Sequence, residues 1–455
     1  MARNVFISFL GTNNYLQTRY QWNEEKPSRP VRFIQEAIIS RIAKDWTADD
    51  RIFIFYTDGD DGSYKLNWLD NGQTRFNEKE EKEKEIEKIG LQHRLNDLHL
   101  NAQIEGDIIP EGFSEDDVWN MFNIVYKKLK PYDKIYFDIT HAFRSIPLFA
   151  SSLFNFAQYM INVEVVSVNY GAFEKLGPAY KVKEMPIEQR IAPIVDMTNI
   201  VKLQKLTETA TSITEFGRIK KLSEFIRQSN SSIDEFLEKI TEAVEKLDEY
   251  IQTANIKNLK DGKVINQFKQ YYKKARKNLS EPEKILMNEI MNAINDFVPE
   301  NSYKNVEAAI EWTKKHEMIS QAATIAQEYM ISYMVDYAKL NKIDNPYLKM
   351  SVEEKTNLRK DKKVFFREFV GSVLGMSESD VNTNNFQGYL NIYEDTTLSL
   401  LGLDFTKALR PHYDTLRNVR NSLNHGKGNK TYDELKTELN ESYTNCLEVI
   451  HQYPI

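Results

Sequence analysis

The chain has 455 residues, more than one hydrophobic core usually serves, so we expect two or three domains. Hydrophobic residues make up 41% of it and aromatic residues 12%, which is enough to fill those cores and excludes a disordered chain. The formal net charge of -7 gives the protein no overall attraction for nucleic acid, so any RNA contact must be a local site.

The same composition bears on metals, disulfides and membranes. The single cysteine, Cys446, excludes a disulfide within one chain and argues against a thiolate metal cluster. The histidines show no metal-ligand spacing, so we expect no metal site. The N-terminus lacks the pattern of a signal peptide, and the most apolar stretch, residues 146–161, is too short and too polar to span a bilayer. We therefore expect a cytoplasmic protein without a membrane partner.

The first 185 residues alternate between strand-like and helix-like segments. Apolar runs predict strands over residues 5–10, 52–56, 134–139 and 163–170. Apolar residues at helical spacing predict a helix over residues 31–46, a solvated helix over 77–88, a helix opened by Ser114 and Asp117, and a buried helix over 146–161. This order is typical of a Rossmann-like α/β domain.

From about residue 186 the strand signals nearly vanish and amphipathic helical segments take over. We expect a helical connector over residues 186–280 and an all-α domain over residues 281–455. The predicted helices cover residues 213–227, 233–253, 264–277, 283–297, 306–340, 365–374, 405–423 and 432–453.

Two loops follow predicted strands at positions where α/β domains bind ligands. The first is Gly11-Thr12-Asn13-Asn14-Tyr15, and the second is Asp138-Ile139-Thr140-His141-Ala142-Phe143-Arg144. Backbone N–H groups at the carboxyl ends of strands can hold phosphate, and Tyr15 offers a ring for a base. Neither loop is a dinucleotide fingerprint or a Walker loop, which disfavours an NAD enzyme and a P-loop NTPase. Each loop alone is also an ordinary polar strand end.

The C-terminal half carries Arg420-Asn421-Ser422-Leu423-Asn424-His425 at the end of a predicted helix that Gly426 terminates. These side chains suit RNA cleavage without a metal. Arg420 could bind the phosphoryl oxygens, His425 could transfer protons, and Asn421 could orient either group. The alternative is an arginine that solvates a helix face and a histidine that caps its end, and the spacing alone favours that alternative.

Several short motifs together resemble one known family. They are Asp138-Ile139-Thr140-His141, Arg144-Ser145-Ile146-Pro147, the Gly11-Thr12 loop, Gly112-Phe113-Ser114 and Tyr170-Gly171-Ala172. Joined to the Arg-x4-His arrangement, they resemble the CRISPR-associated CARF-HEPN ribonucleases of type III systems. The resemblance touches both ends of the chain.

The resemblance implies a CARF sensor over residues 1–185 and a HEPN ribonuclease over residues 281–455. Such a sensor binds a cyclic oligoadenylate, here expected to be cyclic tetra-adenylate, across a homodimer or a larger homo-oligomer. The ligand activates cleavage of single-stranded RNA, and no other cofactor is required. The implied ligand residues are Gly11, Thr12, Asn13, Thr140, His141 and Arg144, and the implied catalytic residues are Arg420, Asn421 and His425.

Two other functions remain open at this point. The chain could be a non-enzymatic sensor that signals to a partner. Alternatively, the CARF domain could also degrade its own activator, with Thr12 or Thr140 positioning the ligand for attack by its own 2'-hydroxyl. A transcription factor is disfavoured, because the helical half shows no basic recognition helix.

Overall fold

A computed structural model describes residues 2–59, 61–69, 89–141, 146–229, 235–346, 366–383, 385–426 and 429–455. The chain divides into two compact units, Met1–Gln204 and Lys205–Ile455. The helix predicted over residues 77–88 and the ligand candidate Arg144 lie outside the described residues.

The first unit is built on one seven-stranded sheet with the order β2-β7-β6-β5-β1-β3-β4. Neighbouring strands are parallel except for β6 and β7, which are antiparallel. The strand order reverses at β1, which lies between β3 and β5 as in doubly wound folds. The strands are β1 Asn4–Phe9, β2 Arg19–Trp22, β3 Arg51–Tyr56, β4 Gln103–Ile108, β5 Lys134–Asp138, β6 Glu164–Gly171 and β7 Ile191–Asp196.

Helices cover both faces of this sheet. Phe6 of β1 packs into a core with Ile34 and Ile38, whereas Val5 and Ile7 pack into a second core on the opposite face. This alternation explains why the central strands read as unbroken apolar runs in the sequence. The Rossmann-like fold is confirmed. Its helices are α1 Ile34–Ile42, α2 Leu91–Asn96, α3 Glu115–Lys128, α4 Ile146–Ile161 and α5 Ala179–Glu184, and α6 Thr198–Thr214 begins in this unit.

Three strands were missed by the sequence analysis, and one of them corrects the domain boundary. β2 and β4 are the two edge strands, with polar residues between the apolar ones, and β7 contains Pro193, so their strand signals are weak. The predicted end of the first domain at residue 185 is too early, because β7 pairs with β2 and β6. The division of the remainder into a connector and a domain that starts at residue 281 stays a prediction.

The second unit is helical throughout its described residues, which confirms the predicted fold class. The single helix predicted over residues 306–340 is two helices, which separate at Glu317 in the left-handed region with φ of 58°. After α6 come α7 Lys221–Ser229, α8 Glu235–Gln252, α9 Ile256–Asp261, α10 Lys263–Ala275, α11 Glu281–Ala293, α12 Lys304–Lys315, α13 Ile319–Leu340, α14 Phe366–Leu374, α15 Glu378–Asn382, α16 Tyr389–Ile392, α17 Glu394–Gly402, α18 Asp404–His425 and α19 Tyr432–Gln452.

Within the described ranges, no helix is both long enough and apolar enough to cross a membrane. The same ranges contain no group of three or more His, Cys, Asp or Glu side chains that could hold a metal ion.

Candidate functional site

The first candidate site lies where β1 and β5 end side by side. Ser8 of β1 is aligned with Asp138 of β5, so the loops that follow the two strands leave the sheet at the same edge. This is the point at which the strand order reverses, where open α/β sheets bind their ligands.

A buried carboxylate and the threonine that it holds join three strand ends at this point. Asp138 is fully buried, and its Oδ2 accepts a hydrogen bond from the Ser8 hydroxyl at 2.7 Å. Its Oδ1 accepts from the Thr140 backbone N–H at 3.0 Å and from the Thr140 hydroxyl at 2.6 Å. Burial raises the pKa of Asp138, against the opposing effect of these bonds. The Thr140 Oγ1 also accepts from the Gly171 N–H at 2.8 Å, so its hydroxyl holds the second loop in place.

An aromatic contact connects the two loops. The rings of Tyr15 and His141 lie with centroids 4.1 Å apart, and Tyr15 also meets Phe33 at 5.6 Å. The ring of Tyr15 therefore packs against two neighbouring rings, and its role as a platform for a base stays a prediction. A Cβ added at Gly11 would lie 2.6 Å from the Tyr15 hydroxyl and 3.3 Å from the His141 carbonyl oxygen. Only glycine fits there without displacing Tyr15.

His141 is the titratable group of this site that could face a ligand. Burial lowers its pKa to about 3, so the imidazole is neutral at pH 7. Its Nε2 is buried and has no hydrogen-bond partner among the described residues, although part of the residue reaches the surface. A buried polar atom without a partner is costly, and a bound polar group would satisfy it.

The first loop is supported by a residue that the sequence analysis missed. The Asn67 Nδ2 donates to the carbonyl oxygens of Gly11 at 2.8 Å and Asn13 at 3.0 Å, and its Oδ1 accepts from Arg32 at 3.0 Å. Thr12 and Asn13 are exposed at the tip of this loop. No local pattern points to Asn67, because it lies more than fifty positions along the chain.

The second candidate site is the end of α18. The helix ends at His425, and Gly426 adopts the left-handed conformation with φ of 60°, donating its N–H to the Ser422 carbonyl oxygen at 3.0 Å. Leu416 and Val419 are buried and form the apolar stripe of the helix. The predicted helix end and its glycine stop are confirmed, and His425 is exposed.

Arg420 and Asn421 form the polar centre of this second site. The Arg420 Nη1 donates to the Asn421 Oδ1 at 3.1 Å, and the Arg420 Nε is buried without a hydrogen-bond partner among the described residues. Along an α-helix, five residues turn through about 500°, so Arg420 and His425 leave the axis in directions about 140° apart. One copy of α18 therefore presents the two side chains on different faces of the helix.

A neighbouring arginine on the same helix shows a different arrangement. Arg417 donates from Nη1 to the Gly375 carbonyl oxygen at 2.7 Å and from Nη2 to Asp414 at 2.5 Å. Its guanidinium therefore connects α18 to the end of α14. Arg417 and Arg420 form a matched pair, one with a structural role and one a candidate for anion binding.

Comparison with known proteins identifies the first unit. Residues 5–174 match the family model for the CARF domain of the CRISPR system endoribonuclease Csx1. The chain contains a CARF domain. The CRISPR-associated protein MJ1674 of Methanocaldococcus jannaschii is 29% identical over 188 residues, which cover 40% of this chain and 27% of that relative. The solved structure of Enterococcus italicus Csm6 bound to cyclic hexa-2'-fluoro-hexa-dAMP aligns over 100% of this chain and 94% of that one, with 12% identity and a TM-score of 0.45.

The CARF domain confirms the resemblance to the CARF-containing accessory proteins of type III CRISPR systems. Of its predicted ligand residues, Gly11, Thr140 and His141 come together at the switch point, and Thr12 and Asn13 lie at the exposed loop tip beside them. At the second site, Arg420 and Asn421 are in contact and His425 stands at the helix end. Whether these residues bind ligand or cleave RNA stays a prediction.

Proposed function

We propose that this protein is a metal-independent endoribonuclease that cleaves single-stranded RNA when its CARF domain binds a cyclic oligoadenylate. The observation that carries the proposal is the combination of a CARF domain with an Arg-Asn pair on a helix that ends in an exposed histidine. The CARF domain is the sensor, and the helical unit is the HEPN-type ribonuclease that the sequence motif suggests.

The proposed chemistry is an internal transesterification. The 2'-oxygen of one nucleotide attacks the adjacent phosphorus, and the 5'-oxygen of the next nucleotide leaves. The products are a 2',3'-cyclic phosphate and a 5'-hydroxyl. Arg420 binds the negative charge that grows on the phosphoryl oxygens, and His425 takes the proton from the 2'-hydroxyl and delivers it to the leaving 5'-oxygen. Asn421 already accepts a hydrogen bond from Arg420 and is proposed to orient its guanidinium.

A homodimer would bring together the two side chains that a single chain holds apart, Arg420 and His425. Since Arg420 and His425 project about 140° apart on one helix, two copies related by a twofold axis could bring one arginine and one histidine together at each scissile phosphate. A cyclic ligand with repeated nucleotides matches the same symmetry. Ligand binding would shift the population toward the aligned pair of helices.

The ligand is proposed to bind at the switch point of the CARF domain, and cyclic tetra-adenylate is the proposed ring. Its contacts would come from Gly11, Thr12, Asn13, Thr140, His141 and Arg144. The Nε2 of His141 is available to a polar group of the ligand, whereas the Thr140 hydroxyl already has two partners. Thr140 would then contribute mainly by fixing the loop.

The products of cleavage test the proposed chemistry. We expect cleavage of a single-stranded RNA in EDTA with cyclic tetra-adenylate to leave 2',3'-cyclic phosphate and 5'-hydroxyl ends, and we expect Arg420→Ala to abolish it. Products with 5'-phosphate ends, or cleavage that EDTA stops, would contradict the mechanism. Tight ligand binding without cleavage would instead support a non-enzymatic sensor, and loss of intact ligand over time would show that the domain degrades its activator.

A further inference from the structure

A three-residue corner between α12 and α13, residues 316–318, contacts two other helices. One of them is the end of α6, and the other is the first turn of α19. Glu317 is held in the left-handed region with φ of 58°, which directs consecutive side chains of the corner toward different neighbours. We call these residues the 316–318 corner.

The first contact holds the end of α6. His316 is buried, and its Nε2 lies 3.1 Å from the carbonyl oxygen of Thr214, the last residue of α6. Its Nδ1 lies 2.7 Å from the Trp312 carbonyl oxygen, so the ring has an acceptor at each nitrogen. A Cβ added at Gly217 would lie 2.7 Å from the His316 ring, so the ring packs directly on the backbone that follows α6.

The other end of α6 belongs to the CARF-containing unit. α6 begins at Thr198, whose hydroxyl accepts from the Val168 N–H of β6 at 2.9 Å. Gln204 of α6 accepts from the Ser151 hydroxyl of α4 at 3.2 Å. Because α4 begins shortly after the loop that carries His141, a change in that loop can reach α6 through α4.

The second contact lies beside the proposed ribonuclease motif. The Glu317 carboxylate accepts from the Tyr432 hydroxyl at 2.9 Å and pairs with the Lys436 ammonium at 2.6 Å. Both partners belong to the first turns of α19, which begins seven residues after His425. Glu317 therefore joins the corner to the segment that immediately follows the motif.

We propose that the 316–318 corner positions the ribonuclease motif in response to the sensor, with His316 holding α6 and Glu317 holding α19. The proposal rests on the proposed function and names the regulation of the same site. The corner is not a catalytic element, since it acts through α19 on the segment that follows His425. The proposal requires that the corner take two arrangements whose equilibrium both sites bias, which is the physical requirement for coupling.

The exposure of the Glu317 contacts suits a switch. The Glu317 side chain is 58% exposed and that of Lys436 is 35% exposed. Ion pairs this exposed contribute little to folding, so the contact can form and break, and a variant at Glu317 should remain folded.

The first test compares Glu317→Ala with Glu311→Ala. Glu311 is matched to Glu317, because it pairs with Lys314 of the same helix at 2.9 Å and its side chain is 56% exposed. In the full chain we expect Glu317→Ala to lower the ligand-stimulated kcat about fivefold, with KM for RNA and affinity for the cyclic ligand unchanged. Glu311→Ala should match the wild type in all three quantities. Equal kcat values for the two variants would overturn the proposal.

A charge exchange separates this role from a merely structural one. The double variant Glu317→Lys with Lys436→Glu restores opposite charges across the contact, so we expect it to recover at least half of the stimulated kcat. Glu317→Lys alone should fall below Glu317→Ala, because it places two cations together. Failure of the exchange to recover any activity would count against the Glu317–Lys436 contact as the coupling.

Hydrogen exchange distinguishes failure of this proposal from failure of the proposed function. We expect cyclic tetra-adenylate to change the exchange rates of amides 432–436 in the wild type and to leave them unchanged in Glu317→Ala. If the wild type shows this change but cleaves no RNA, the ribonuclease proposal fails and the coupling stands. If the ligand activates cleavage without changing these amides, the coupling is wrong and the ribonuclease proposal stands.

Discussion

At the switch point of the CARF domain, burial shifts the pKa values of two residues. The pKa of His141 is lowered to about 3, and that of Asp138 is raised. His141 is therefore neutral at pH 7 and can give a ligand one hydrogen bond but no positive charge. If the proposed cyclic ligand binds here, positive charge for its phosphates would have to come from backbone N–H groups or from other side chains.

The lowered pKa of His141 predicts an acid sensitivity of folding. Between pH 3 and pH 6.5 the unfolded chain binds a proton at this residue that the folded chain does not. The stability that the neutral, buried His141 contributes is therefore fully present above pH 6.5, and it is lost as the pH falls toward 3. His141→Phe keeps a ring against Tyr15 and removes the titration. We expect urea midpoints of the wild type to fall more steeply than those of His141→Phe between pH 7 and pH 5. Parallel curves would contradict the assignment.

The two arginines of α18 predict different effects of the same substitution. Lysine keeps the charge of Arg420 but loses the planar fork that holds phosphoryl oxygens. We expect Arg420→Lys to lower kcat about 100-fold with little change in stability. Arg417→Lys should mainly lower stability, because the Gly375 and Asp414 contacts are structural. Similar kcat values for the two variants would argue against Arg420 as the phosphate ligand.

At the scale of elements, the end of α18 and the loop after β1 both depend on a glycine. Gly426 closes the helix with a positive φ, and Gly11 leaves room for Tyr15. The two residues serve different physical needs, one a backbone conformation and the other a close approach. Substitution of either glycine by alanine should disturb one site and leave the other intact.

Gly426→Ala tests whether the helix end positions His425. Gly388 is a matched control, since its φ of 58° is close to the 60° of Gly426 and an added Cβ meets nothing within 4 Å at either position. Each substitution should lower the free energy of unfolding by about 1 kcal/mol. Only Gly426→Ala should also lower kcat, which we expect to fall several-fold. If both variants cleave at the same rate, the end of α18 does not position the histidine.

Gly11→Ala tests the packing of the first ligand loop. The new Cβ would collide with the Tyr15 hydroxyl, so we expect weaker binding of the cyclic ligand by calorimetry, by about tenfold. Tyr15→Phe removes the colliding oxygen, and the double variant should recover part of the affinity. No recovery would mean that the loop is limited by the 3.3 Å approach to the His141 carbonyl oxygen instead.

At the scale of the whole molecule, the sequence predicted what is local or fully buried. β1, β3, β5 and β6 are interior strands with strong apolar runs, and the capping box of Ser114 and Asp117 was readable directly. Strand signals are weak in the edge strands β2 and β4 and in β7, which contains Pro193. Because β7 is not recognised, the predicted boundary of the first domain lies too early. The break of the long helix at Glu317 depends on one backbone conformation that composition does not reveal.

The sequence named candidate residues for both sites, but it did not indicate the contacts between them. The family resemblance selected Thr140, His141 and Arg420 from short motifs. The bonds from Ser8 to Asp138 and from Asn67 to Gly11 join residues 130 and 56 positions apart, and no single-sequence pattern indicates them. The packing of Tyr15 against His141 likewise depends on the fold.

We propose that a ligand at the CARF domain switches on cleavage at Arg420 and His425. The most direct measurement is cleavage of a fluorescent single-stranded RNA in EDTA, with and without cyclic tetra-adenylate or cyclic hexa-adenylate, by the wild type and by His425→Ala. We expect one ring to activate the wild type, and we expect His425→Ala to be slower by about 100-fold or more while still binding that ring. Cleavage that is independent of both rings, or that survives His425→Ala unchanged, would contradict it.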